Sequence, residues 1–179
     1  MSEPLGGPRL DLFPVEDSVV ARIAEAYLAL LRDDPALSTF FGAGGIFDLE
    51  SEDLLYQASL PAPAFGLVLA RFREAHYPGQ SATVYVTLTG ALLTRPQAAI
   101  GTQRFLRARL LEHLYQVVNA TRGELWDDVS RAANMPLTTA LVQWEAVPLA
   151  QRLKPSNLLA TPVTVTLQTS IDRITREVD

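Results

Sequence analysis

Cysteine is absent from these 179 residues, histidine occurs only at His76 and His113, and Lys154 is the single lysine. The missing cysteine excludes disulfides, thiolate catalysis and sulfur-ligated zinc or iron, and it fits an intracellular assembly compartment. His76 and His113 are too far apart to form a helix-spaced pair, and neither belongs to a metalloprotease motif. Basic charge is also short. With a net charge of -5, the chain lacks the basic face that must release counterions for phosphate-backbone binding to be its main task. No apolar run approaches the ~20 residues that cross a bilayer, and the first nine residues, Met1 to Arg9, lack the basic start and apolar stretch of a leader. The expectation is a soluble chain with no membrane partner that is not exported by this route.

What remains is 48% hydrophobic, enough for one domain to bury a core without metal or staples. Cationic side chains are almost all arginine, the residue that forms bidentate, partly desolvated pairs at interfaces, although a GC-rich or thermophilic genome produces the same bias. The most informative pattern has period two. In Thr161 to Ile171, Val163, Val165, Leu167 and Ile171 alternate with Thr164, Thr166, Gln168 and Ser170. A near twin runs from Thr83 to Leu93, with Val84, Val86, Leu88 and Leu92 opposite Thr83, Tyr85, Thr87 and Thr89. Both read as strands with one dry face and one hydroxyl-rich face, so the sheet is expected to be covered on one side only.

Along the chain, residues 1–14 hold three prolines and two glycines and read as an extended arm. Ser18 to Arg32 has helical spacing with a capping residue at its start, and Asp33-Asp34-Pro35 closes it. Pro35 to Pro63 reads as an irregular loop with short pieces, among them a glycine-rich bend at Phe40 to Gly45 and a possible short strand at Ile46 to Leu49. Ala64 to Glu74 and Ala82 to Leu93 form a hairpin around Tyr77-Pro78-Gly79-Gln80. A long helix covers about Gln97 to Asn119 and a short one lies at Gly123 to Val129. Thr138 to Val147 returns to strand character, Ala150 to Ala160 is a loop, and Asp172 to Asp179 is a charged tail. The expected fold class is α+β: an antiparallel sheet of about four strands with two main helices packed on one face, plus a short helix and long loops. The domain organisation is an arm over 1–14, a single α+β domain over 15–171 and a tail over 172–179.

Reactive chemistry is sparse, and no catalytic, cofactor-binding or metal-binding residue is assigned. His76 beside Glu74 reads as a solvated pair at a turn; the enzyme alternative is a small hydrolase-like site using those two. Gly42 to Gly45 lacks the lysine and hydroxyl of a phosphate loop. Asp48, Glu50, Glu52 and Asp53 miss the spacing and glycine of a calcium loop and read as a solvated acidic segment. Asp127 and Asp128 read as charge near a helix N-terminus. Arg71 and Arg73 share one face of their strand, and Arg104 and Arg107 are helix neighbours. In an assembly, these arginines would pair with a neighbour's acidic segment at Glu50, Glu52 and Asp53. Phe40, Phe41 and Trp144 are the aromatic anchors if an interface exists, with core packing as the plainer reading for each.

The helix from Ser18 to Arg32, the hairpin from Ala64 to Leu93 with its run Val84 to Gly90, the helix from Gln97 to Asn119, the short helix near Trp126 and the terminal strand from Thr161 to Ile171 together resemble the layout of tailed-phage tail terminator proteins. The likeness is one of element order over most of the chain. It implies a structural virion protein, not an enzyme, that is assembled in the host cytoplasm and forms a ring, expected to be hexameric. That ring would sit at the head-proximal end of the tail, end tail-tube polymerisation and join the tube protein to the head connector. Genomic DNA would pass through its lumen without specific binding. A head-closure or tail-completion adaptor of the neck is the alternative within the same class.

Overall fold

The computed structural model describes residues 18–49, 60–76, 81–96, 100–121, 124–127, 139–147, 150–154 and 156–172. The first helix, α1 (Val19–Asp33), begins where Ser18 accepts a hydrogen bond from the Ala21 amide at 3.2 Å. Its apolar stripe of Ile23, Tyr27, Leu28 and Leu31 is fully buried; each such side chain contributes about 1.5–3 kcal/mol. Asp34 ends α1 and starts α2 (Pro35–Phe41), because its carboxylate accepts from the Leu37 amide at 2.9 Å while Pro35 occupies the first helical position. The sequence Asp33-Asp34-Pro35 therefore both stops one helix and starts another. A bend follows in which Gly42 and Gly44 take positive φ angles of 74° and 76°, a conformation that turns the chain into the next strand.

The sheet is built from β1 (Ile46–Asp48), β2 (Ala64–His76), β3 (Ser81–Thr94), β4 (Thr139–Ala146), β5 (Gln151–Arg152) and β6 (Leu159–Asp172). The third helix, α3 (Ile100–Ala120), lies between β3 and β4 in sequence. The strand order is β1-β2-β3-β6-β4, with β5 paired to β6 beside this path. β1 runs parallel to β2 through Ile46↔Phe65 and Asp48↔Leu67, whereas the other pairs are antiparallel.

This corrects the expected fold class. Among the described residues there are six strands in a mixed sheet with three helices, not about four antiparallel strands with two. β1 lies on the short strand expected at Ile46 to Leu49, but a parallel partner leaves no turn signature in sequence, and β5 is too short to carry a period. The short helix expected near Trp126 is not helical over 124–127. Instead, the Leu125 amide donates to Thr139 Oγ1 at 3.1 Å and Asp127 binds the Arg22 guanidinium of α1. That ion pair, not a helix terminus, accounts for Asp127. The arm at 1–14, most of the acidic segment and the tail beyond Asp172 lie outside the described residues.

One core face carries the helices. Val86, Leu88, Leu92, Val163, Val165 and Leu167 meet Ile23, Tyr27 and Leu31 of α1 and Leu110, Leu114 and Val118 of α3 in a single cluster. Gly90 lies on this face beneath the Phe65 ring, where an added Cβ would stand 2.5 Å from the ring carbon Cζ. A smaller cluster of Ala64, Ala91, Leu93, Leu153, Leu158 and Ala160 covers one end of the opposite face. The rest of that face has no helix over it among the described residues.

Candidate interaction surface

Strand register turns the uncovered face into a grid. One row across β2, β3, β6 and β4 reads Arg71, Thr87, Thr166 and Gln143; the next reads Arg73, Tyr85, Gln168 and Ala140. On the other side lies a row of Val68, Thr89, Thr164 and Glu145. Strands ~4.8 Å apart spread each row over about 14 Å. A register irregularity between Leu69 and Arg71 re-aims the strand, so that both arginines join the threonine side and not the core side. A second one, between Leu141 and Gln143, leaves Val142 exposed at the far edge.

The centre of the grid is a trough of about 290 Å³ lined by Arg71, Arg73, Tyr85, Thr87, Val142, Gln143 and Thr166. The Arg73 guanidinium carbon stands 5.0 Å from the Tyr85 ring centroid, and Thr87 Oγ1 lies 3.3 Å from Thr166 Oγ1. Gln143 donates to Glu145 at 3.3 Å; with Arg71 and Arg73 on β2 and Glu145 on β4, the face is cationic along one strand and anionic along the other. Neither Arg71 nor Arg73 forms an ion pair among the described residues. Such a surface can receive carboxylates and amides through charge-assisted hydrogen bonds; it presents no nucleophile with an adjacent base.

The other residues singled out from sequence scatter over the molecule. Phe41 is buried in the core and stacks edge-to-face with half-buried Phe40, centroids 5.2 Å apart. Trp144 lies on the core side of β4, 5.3 Å from Tyr115. Arg104 is exposed on α3 with its guanidinium carbon 5.6 Å from the Phe105 centroid, and the Nε of Arg107 is buried without a partner among the described residues. Arg109 pairs with Glu112 at 3.2 Å. Glu50, Glu52 and Asp53 lie outside the described residues. Glu74 is exposed on β2 opposite Val84, and His76 pairs with Thr83 across a second irregularity. His113 stands 3.0 Å from Asp34 Oδ1, tying α3 to the junction of α1 and α2. Burial acts to raise the Asp34 pKa, but the Leu37 amide and His113 outweigh it and hold the carboxyl below its ordinary value.

The sequence pairs β2 with β3 as a hairpin and sets Tyr85 on the hydroxyl-rich face, as the structure has them. It does not show that β6 and β4 follow β3 in the sheet, so Val142 and Gln143 are missed as trough residues. The alternating pattern contained that signal only once strand order was known.

No protein-family model matches this chain, and no curated protein matches it at a significant level. Among the described residues, no helix is long and apolar enough to cross a membrane.

Proposed function

We propose that this chain is a structural subunit of a tailed-phage neck or tail, a ring at the head-proximal end of the tube that ends tube growth and joins tail to head connector. The observation that carries the proposal is the sheet with helices on one face and a four-strand-wide polar grid on the other. A surface of arginine, threonine, tyrosine and glutamine, with positive and negative sides, suits a specific protein contact that forms late and from soluble parts. A different patch on each side of a subunit is what a ring contact needs, since rotation of one patch onto another closes a ring without self-complementarity. The resemblance in element order to tail terminators, without the short helix near Trp126, suggests the partners: the tube protein below and a connector or neck protein above. DNA would pass through the lumen.

Electron microscopy of the purified chain mixed with tail tubes, with mass photometry of the chain alone, tests this. The expected result is rings of a fixed subunit number that sit on one end of the tubes and stop their extension. A chain that stays monomeric and leaves tube length unchanged would remove the proposal.

A further inference from the structure

Two clefts of opposite charge lie on opposite sides of the molecule. The cationic trough of about 290 Å³ is on the uncovered sheet face. The second, about 220 Å³, lies in the helical layer between the end of α1 and the segment after α3, lined by Leu30, Asp33, Thr121, Glu124, Leu125 and Trp126. The first lies at the lower bound of the ~300–1,000 Å³ of most small-molecule sites and the second below it, sizes that side chains of a partner can fill. The second cleft has an apolar floor at Leu30 and Trp126 and carboxylates at Asp33 and Glu124.

We infer that the Arg71 and Arg73 face of one copy of this chain docks into the Leu30, Asp33, Glu124 and Trp126 cleft of a second copy. The inference rests on the ring reading and gives that ring its contact. An arginine suits this cleft: the aliphatic stem packs on Leu30, the guanidinium lies against the Trp126 indole, and its N–H groups donate to the Glu124 carboxylate, with the Asp33 charge beside it. Arg73 already stands over Tyr85, 5.0 Å from the ring centroid, so part of its rotamer freedom is spent before contact. The arginines share a face with Thr87 and Thr166, away from the helices, whereas the cleft lies among the helices. One copy therefore cannot bring its own two patches together, and the contact is head-to-tail.

A charge exchange in the full-length chain tests this by sedimentation velocity. One variant carries Arg71→Glu and Arg73→Glu; the other carries Asp33→Arg and Glu124→Arg. Each alone is expected to associate at least tenfold more weakly than wild type, because like charges then face one another. An equimolar mixture is expected to recover assembly, since each variant offers the other a matched patch. Wild-type association by either variant alone overturns the inference. So does failure of the mixture to recover when both components keep the wild-type circular dichroism spectrum. Should the Asp33→Arg, Glu124→Arg chain not fold, Glu124→Gln replaces it: severalfold weaker assembly is expected, and unchanged assembly overturns the docking. Restored pairing of the arginine variant by Glu50→Arg, Glu52→Arg and Asp53→Arg, but not by the cleft variant, would assign the contact to the acidic segment and overturn the cleft. Wild-type rings that survive every exchange reject this contact and leave the ring reading standing; a wild-type chain that never associates rejects both.

Discussion

At the scale of single residues, two side-chain pairs join segments that are far apart in sequence. Arg22 on α1 pairs with Asp127 beyond α3, and Asp127 is buried, so that removing either partner of this pair is expected to be costly. The attraction to Asp127, opposed by burial, raises the Arg22 pKa still further. Asp34 does two jobs, capping α2 through the Leu37 amide and meeting His113 of α3. Because its folded pKa lies below the unfolded value of about 3.9, its contribution is present above that pH and is lost as pH falls through the lower folded value. Wild-type urea midpoints are therefore expected to fall more steeply between about pH 5 and pH 2 than those of Asp34→Asn, in which a neutral cap is retained. Near neutral pH, Asp34→Ala is expected to cost about 1 kcal/mol through the lost cap. Parallel pH profiles for wild type and Asp34→Asn would show that the carboxylate charge carries none of this.

At the scale of elements, the long strands are set by alternation and by one close approach. Phe65 of β2 reaches over Gly90 of β3 on the core side and is itself fully buried, so the ring has no free space to vacate. Gly90→Val is expected to destabilise the domain by about 1–3 kcal/mol through overpacking. In a Phe65→Leu background, the same change is expected to cost measurably less, with the coupling read from a double-mutant cycle of urea midpoints. Additive costs would show that the contact is not what keeps position 90 without a side chain. These strands were legible in the sequence because period two over more than ten residues leaves few alternatives: β3 and β6 fall where alternation put them, and α1 begins at its serine cap. The elements that escaped are those whose cause is not periodic. Asp34 was read as a stop because a cap that serves the next helix looks the same as a terminator of the last. β1 falls on the short strand expected at Ile46 to Leu49, but its parallel pairing to β2 left no signal; β5 exists because β6 offers an edge, and two residues carry no pattern of their own. Of the interaction surface, the turn signal between β2 and β3 joins the arginine strand to one threonine strand, but the placing of β6 and then β4 beside β3 has no local signal.

At the scale of the whole molecule, the sheet divides the described residues into a helical side and a polar side, and the proposed ring uses one from each of two neighbours. If arginine–carboxylate pairs carry the contact, the association is electrostatic in large part and its strength follows the screening length. That length falls from about 10 Å at 0.1 M salt to about 3 Å at 1 M. Self-association of the full-length chain is therefore expected to weaken by at least about tenfold over that range, in large part through slower association once the attraction between the two patches is screened. Contact through apolar surface alone predicts the opposite, because excluded salts such as sulfate strengthen apolar burial. Sedimentation velocity in sodium chloride and in sodium sulfate separates the two. Weakening in chloride that is absent from the Arg71→Glu, Arg73→Glu chain places the salt sensitivity at the trough. Equal weakening in both chains would move it to other charges, with Arg104 and Arg109 on the exposed side of α3 as the next to exchange.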